Sequence, residues 1–135
     1  MGTRFIRELL QVVVAVSLFV LTATATAGVV ASKSGGFYSV KVETSKTGDK
    51  TLATITATGK SGYHCNKLYP WKLTVIPGDG TTRVYKKKDA KKFAEEAVIF
   101  TIPYNLVAGK KTSAKLKLSM CDDKQCKMET VSFSW

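Results

Sequence analysis

Apolar and polar side chains alternate along most of the chain after residue 36. About seven segments show this period-two pattern, which is typical of half-buried β-strands. They read FYSVKVETS, TLATITATG, WKLTVIP, TTRVYK, VIFTIPY, SAKLKLSM and ETVSFSW. The KTGDK stretch between the first two supplies Gly-Asp turn chemistry, so these two segments are predicted to form a hairpin.

Short strands separated by turns, in roughly a hundred residues, predict an all-β fold. We expect an immunoglobulin-like antiparallel β-sandwich of about seven strands over residues 37–135, without the Cys–Trp–Cys core of antibody domains. One segment, Lys87 to Ala97, is rich in Ala, Lys and Glu, and Phe93 is its single large apolar residue. A short helix or turn is predicted there.

The N-terminal 27 residues have the layout of a secretory signal peptide. Two arginines precede an apolar stretch from about Leu9 to Ala23, and Ala25 and Ala27 follow at an A-x-A spacing. This pattern predicts cleavage after Ala27 and a periplasmic or secreted protein. An uncleaved anchor is the alternative, and the Thr-rich tail of the apolar stretch favours cleavage. Residues 28–36, GVVASKSGG, are predicted to be a flexible lead-in.

The chain is strongly basic, with a formal net charge of +11 that falls by one if the signal peptide is removed. Positive charge attracts polyanions, so weak association with anionic envelope polymers is one hypothesis, with Lys86, Lys87 and Lys88 as the residues to neutralise. Aromatic side chains are not interleaved with the lysines as a base-stacking surface requires. No nucleic-acid partner is therefore expected.

Two of the three cysteines, Cys121 and Cys126, lie near the C-terminus with four residues between them. Each belongs to the polar set of its strand, so both are predicted on the solvent side of one hairpin. A single register satisfies both faces, and a slip by one residue would destroy it. It pairs Cys121 with Cys126, Ser119 with Met128, Lys117 with Thr130, Lys115 with Ser132, Leu116 with Val131 and Ala114 with Phe133.

Directly opposed cysteines at a hairpin end are close enough to be bridged, and an exported chain meets an oxidising compartment. Closing a loop of about six residues stabilises a fold by only about 2 kcal/mol. Two interpretations stay open: a labile bond used for exchange, or a structural bond in a non-enzymatic binding module. Asp122 and Asp123 disfavour a nearby thiolate, whereas Lys124 and Lys127 favour it.

The remaining chemistry is sparse. The only histidine, His64, adjoins the third cysteine, Cys65, and strand alternation predicts that one of the two is buried and the other exposed. A soft-metal site from Cys121, Cys126, Met128 and His64 is a minor alternative, because the cysteines are expected to be oxidised. No metal or cofactor is therefore predicted. Serine-elbow and phosphate-loop motifs are absent from the sequence.

Two stretches resemble the N-terminal periplasmic domain of the bacterial thiol:disulfide interchange protein DsbD and small exported proteins related to it. SMCDDKQCKM resembles that domain's cysteine hairpin, and GYHCNKLYPWKLTV its Gly-aromatic-His stretch; the resemblance spans most of Phe37 to Trp135. It implies an immunoglobulin-like sandwich in the periplasm of a Gram-negative bacterium. It also implies that Cys121 and Cys126 are the catalytic pair, exchanging disulfides with a periplasmic thiol/disulfide protein.

Overall fold

The alternating segments form two antiparallel sheets that pack face to face as a β-sandwich. A computed structural model describes residues 28–48 and 50–135, and nearly all of this part of the chain is strand, turn or loop. The all-β class that the alternation predicted is therefore confirmed. The strands are β1 (Gly28–Ser34), β2 (Tyr38–Thr47), β3 (Lys50–Gly59), β4 (His64–Cys65), β5 (Lys72–Ile76), β6 (Arg83–Lys86), β7 (Lys92–Phe93), β8 (Val98–Pro103), β9 (Ser113–Cys121) and β10 (Cys126–Ser134).

The first sheet has the strand order β1-β2-β3-β8-β7, and the second has the order β10-β9-β5-β6. The short strand β4 also pairs with β9, at the end of β9 that β5 does not reach. Strand β9 is therefore bordered by β10 along one edge and by β5 and β4 along the other. This arrangement places the C-terminal cysteines at one end of the second sheet.

The core lies between the sheets and is formed by every second residue of the long strands. On each strand the alternate residues face outward, to solvent, as a pleated backbone requires. Fully burying a large aliphatic or aromatic side chain stabilises a fold by roughly 1.5–3 kcal/mol, so this layer dominates the stability. The largest fully buried side chains include Trp71, Phe100, Ile55, Leu73, Ile102, Leu116, Leu118 and Met120.

Both predicted hairpins form, and the hairpin of β9 and β10 has the register that the sequence predicted. Strands β2 and β3 pair on either side of the Gly48 turn, where the backbone has a positive φ that glycine tolerates without strain. Strands β9 and β10 pair with Cys121 opposite Cys126, and all the other pairs that the sequence predicted for this hairpin are present. The inward and outward faces of the two strands are thus fixed by their apolar patterns.

The segment predicted as a flexible lead-in, residues 28–36, differs from that expectation. Residues Gly28–Ser34 form β1, which pairs antiparallel with β2 from Gly28 opposite Thr44 to Ser34 opposite Ser39. Small and polar side chains gave this strand no alternating signal, since most of it is exposed. Its structure comes from the backbone ladder offered by the edge of β2.

Of the short helix or turn predicted over Lys87 to Ala97, the turn is present and an α-helix is not. A single 3-10 turn covers Lys87–Asp89, and Lys92–Phe93 then forms β7, which pairs with β8. A surface helix needs an apolar stripe to pack, and this segment has only Phe93. The Phe93 ring instead packs edge-on against Trp71, with 6.0 Å between ring centroids. Tertiary packing of one aromatic ring therefore outweighs the local helix propensity.

Residues 28–48 and 50–135 contain no helix that is long and apolar enough to cross a membrane. The predicted signal peptide, residues 1–27, lies outside the described residues.

Gly59 is expected to be essential for the turn that leads into β4. A Cβ atom at this position would lie 1.8 Å from the Tyr63 carbonyl oxygen, so the backbone would have to move. We expect Gly59→Ala to lower the free energy of unfolding by roughly 2–3 kcal/mol, measured by urea denaturation. The control is Gly36→Ala, because no atom lies within 4 Å of the added Cβ there. Equal stability of the two variants would contradict this assignment.

Candidate functional site around the Cys121–Cys126 disulfide

The C-terminal hairpin is closed by a disulfide between Cys121 and Cys126, with a Cα–Cα distance of 4.0 Å. The next residue pair, Asp122 and Gln125, is joined by a backbone hydrogen bond of 2.9 Å. Cys121 and Cys126 therefore occupy a non-hydrogen-bonded position of the ladder, where opposed side chains come closest. The bond that the sequence predicted is present.

The two cysteines differ in exposure, which corrects the prediction that both lie open to solvent. Cys126 is exposed, whereas Cys121 is only 9% exposed although it is on the outward face. The reason is position: Cys126 lies on an edge strand, while Cys121 has β10 on one side and β4 on the other. Only one of the two sulfur atoms is therefore readily reached from outside.

His64 lies directly opposite Cys121 in the pairing of β4 with β9. Opposed residues of an antiparallel pair project to the same side, so the imidazole and the Cys121 sulfur share the outward face. The sequence grouped His64 with Cys121 only in the minor soft-metal alternative and did not predict their pairing, because β4 is too short to have a periodic signal. The described residues contain no group of three or more His, Cys, Asp or Glu arranged to hold a metal ion.

Cys65 points the other way, into the core, and is fully buried. This confirms that one member of the His64–Cys65 pair is buried, and His64 is half-buried. The Cys65 thiol donates a weak hydrogen bond of 3.7 Å to the Ala57 carbonyl oxygen. Burial raises the pKa of the Cys65 thiol from 9.0 to about 11. At neutral pH it is therefore a protonated, inert core residue.

Asn66 organises the segment that follows β4. Its backbone N–H donates to the Ser119 carbonyl oxygen at 2.9 Å, and its side-chain amide donates to the Ser119 hydroxyl at 3.3 Å. The Asn66 carbonyl oxygen also accepts a 2.8 Å hydrogen bond from the Trp71 indole N–H. Ser119 is consequently buried although it lies on the outward face. The Asn66 side-chain oxygen also accepts a 3.1 Å hydrogen bond from the Leu68 backbone N–H, in an Asx turn. Asn66 was not identified from the sequence, because its partners Ser119 and Trp71 are brought to it only by the fold.

A shallow concavity of about 360 Å³ adjoins the disulfide. It is open to solvent, and Leu68, at 92% exposed, projects beside it. The lining residues are His64, Cys65, Asn66, Lys67, Leu68, Glu95, Cys121 and Cys126.

Two of the four loop charges, Asp122 and Lys127, are engaged elsewhere. One Asp122 carboxylate oxygen accepts hydrogen bonds from the Lys124 and Gln125 backbone N–H groups at 2.9 and 2.7 Å. The pKa of Asp122 is lowered, first by the Lys124 N–H and then by that of Gln125. The Lys127 ammonium lies 5.5 Å from the centroid of the Tyr63 ring, on the opposite face of β10 from Cys126. Of the residues expected to tune the thiolate, Lys127 therefore does not face it.

No family model, curated protein or solved structure was found that matches this chain.

The buried Cys65 thiol is expected to make the fold less stable at alkaline pH. The folded state keeps the thiol proton up to about pH 11, whereas the unfolded chain loses it above about pH 9, so rising pH favours unfolding. Between these values the wild type should lose roughly 2 kcal/mol more stability than Cys65→Ala. Denaturant unfolding of both proteins at successive pH values measures the difference. Parallel stability curves for the two proteins would contradict the assignment.

Proposed function

We propose that the protein exchanges disulfides with a partner thiol protein through Cys121 and Cys126. The observation that supports this function best is the asymmetry of the bond. One sulfur belongs to the exposed Cys126 and the other to the largely covered Cys121, and both adjoin an open concavity. Such an arrangement admits a thiolate to one sulfur and retains the other as the leaving group.

The reaction is a pair of thiol–disulfide exchanges. A partner thiolate attacks the Cys126 sulfur, the Cys121–Cys126 bond breaks, and its electron pair leaves on the Cys121 sulfur as a thiolate. A mixed disulfide now joins Cys126 to the partner. A second thiolate of the partner attacks its own bridged sulfur and releases Cys126. The partner is then oxidised and the hairpin cysteines are reduced, and the reverse sequence oxidises the hairpin again.

His64 is the residue placed to assist the leaving group. It lies opposite Cys121 on the same face of the sheet. An imidazole N–H that donates to the departing sulfur stabilises its negative charge, and thiols that are weaker bases leave faster. Lys67 and Glu95 are the other charged residues that line this concavity. His64 is thus a positioning residue for the exchange.

The fold does not depend on the bond. The disulfide closes a loop of about six residues and stabilises the fold by about 2 kcal/mol. Burial of the inward-facing side chains of β9 and β10 contributes several times as much to the free energy of folding. The hairpin ladder continues to Ser113 opposite Ser134. Reduction therefore leaves a folded domain with two free thiols, as an exchange protein requires.

The exchange is tested with glutathione disulfide and two single-cysteine hairpin variants. Cys121→Ser leaves the exposed Cys126, and Cys126→Ser leaves the covered Cys121. We expect the first variant to form its glutathione adduct at least about tenfold faster, because access governs which sulfur reacts. Mass spectrometry of timed, acid-quenched samples gives both rates. Equal rates would contradict the proposed direction of attack.

The reduction potential of the wild-type bond is the second measurement in this test. Exchange requires a value less negative than about −300 mV, whereas structural bonds have more negative values. A more negative value would sink the exchange function.

A structural disulfide in a non-enzymatic binding module is the second candidate function. The observation that favours it is the coverage of Cys121, which is only 9% exposed between two neighbouring strands. In that case the bond serves to hold the Asp122 loop closed. The potential measurement separates the two candidates.

We further propose that the protein is exported and that its partner is a periplasmic thiol/disulfide protein. The N-terminal pattern supports export, and the resemblance of the hairpin to the N-terminal domain of DsbD supports the partner class. Disulfides also persist mainly in oxidising compartments, which is consistent with export.

Export predicts that the mature protein begins at Gly28. Amino-terminal sequencing of the protein from the periplasmic fraction of a Gram-negative host measures this directly. We expect Ala27→Leu to block cleavage, because the site requires small residues, while Ala23→Leu leaves cleavage intact. A full-length chain in the wild type would support the anchor instead.

A further inference from the structure

The outward face of the second sheet has a row of three lysines. Lys72 pairs with Lys86 on one side and with Lys117 on the other, so the three side chains lie in register across β6, β5 and β9. We propose that this face and the groove beside it bind a linear acidic polysaccharide. This inference is independent of the disulfide exchange.

The lysine row opposes the stability of the sheet. Neighbouring strands are about 4.8 Å apart, and like charges directly opposite each other are destabilising. Both pairings of Lys72 are of this kind. An anion lying across the row would remove the repulsion, so the free protein presents an uncompensated site for negative charge.

A groove of about 690 Å³ continues from the lysine row along the same face. Its floor consists of the next two rows of outward side chains across β5, β9 and β10, which are Thr74, Lys115 and Ser132 and then Ile76, Ser113 and Ser134. Residues 30–33 of β1 form its wall. Lys115 lies in the floor and Lys33 in the wall. The floor also presents hydroxyl groups, from Thr74, Ser113, Ser132 and Ser134, beside the exposed apolar side chains of Ile76 in the floor and Val30 in the wall.

The cationic surface is long enough for a polymer. From Ser113 to Lys117 it follows β9 for about 13 Å, at about 3.3 Å per residue. A second cavity of about 460 Å³ shares Val30 and Ser134 with the groove and adds Lys46 and Lys111 to its lining. A single small anion would occupy only a fraction of this length.

Within the described part of the chain, the nearest acidic group to the row is Asp89, whose carboxylate accepts a 2.8 Å hydrogen bond from the Lys86 backbone N–H at one end of the row. No acidic side chain lies farther along the surface. The outward positions of β5, β9 and β10 hold Lys, Ser, Thr, Ile, Met and Cys residues, and neither cavity is lined by Asp or Glu. The ion pairs found among residues 28–48 and 50–135 join Lys41 to Glu43 and Lys92 to Glu96. The lysines of the face are therefore available for a ligand.

The chemistry of the face favours an acidic polysaccharide over other polyanions. Lysines can pair with the carboxylates or sulfates of such a polymer, and the floor hydroxyls can exchange hydrogen bonds with its sugar hydroxyls. The outward positions of β5, β9 and β10 hold no aromatic ring. The rings that line the two cavities, those of Phe133, Tyr104 and Trp135, are buried or half-buried, so no exposed ring is offered on which a base could stack. A lipid bilayer is too flat to enter a groove with a wall.

The binding face differs from the lysine cluster that the sequence suggested. Of Lys86, Lys87 and Lys88, only Lys86 belongs to the row. The Lys87 ammonium donates to the Lys67 carbonyl oxygen and lies 5.0 Å from the centroid of the Phe93 ring. Lys87 is thus held by the protein itself, and Lys72 and Lys117 are better positions to test.

The test measures binding of fluorescently labelled alginate, a carboxylated linear polysaccharide, by anisotropy at low ionic strength. We expect Lys72→Gln/Lys117→Gln to weaken binding about tenfold, as the loss of two surface charge contacts does. The control, Lys60→Gln/Lys91→Gln, removes the same charge from exposed positions outside the face and should change binding less than about twofold. The melting temperature of the face variant should not fall, because lysine–lysine repulsion is removed.

Three results would overturn the proposal. One is an equal loss of alginate binding in the two double variants, which would mean that only the net charge matters. Another is wild-type binding to alginate no tighter than to neutral dextran. The third is tighter binding of single-stranded DNA or of anionic lipid vesicles, which would assign the face to a different class of ligand.

Discussion

The disulfide site and the lysine row of the second sheet both depend on one constraint, the pairing of β9 with its neighbouring strands. β10 borders β9 along its whole length, while β5 and β4 share the opposite edge. The inward residues of β9 are fully or almost fully buried, so the strand cannot slip by one residue without exposing them. The same register that protects the core therefore places Cys121 beside His64 and Lys117 beside Lys72.

The outward-facing side chains of the second sheet contribute little to the packing of the core, so their identities are free to be set by reactions or binding at the surface. The disulfide lies at one end of the face and the lysine row about 13 Å away, four residues along β9. Between them Ser119 is covered by Asn66, which separates the two regions. One sheet thus presents a neutral sulfur site and a cationic surface on the same side, each supported by the same buried layer.

Sequence predicted the parts of this molecule that alternation governs. The hairpin of β9 and β10, with its disulfide, follows from the parity of its apolar residues, and so does the β2–β3 hairpin. Parity did not identify β1 and β4, because an exposed edge strand and a two-residue strand have no periodic signal. The coverage of Cys121 and the failure of the helix around Phe93 both come from contacts with segments distant in sequence.

The opposite orientations of His64 and Cys65 have a consequence for oxidative folding. An unfolded chain with three cysteines can form three different bridges. In the native register Cys65 lies opposite Met120, one residue from Cys121, but on the other side of the sheet. Any bridge to Cys65 would require its removal from the core, with the loss of that burial. Folding therefore favours the Cys121–Cys126 disulfide over the two disulfides that involve Cys65, because only the sulfur atoms of Cys121 and Cys126 lie on the same face of the sheet.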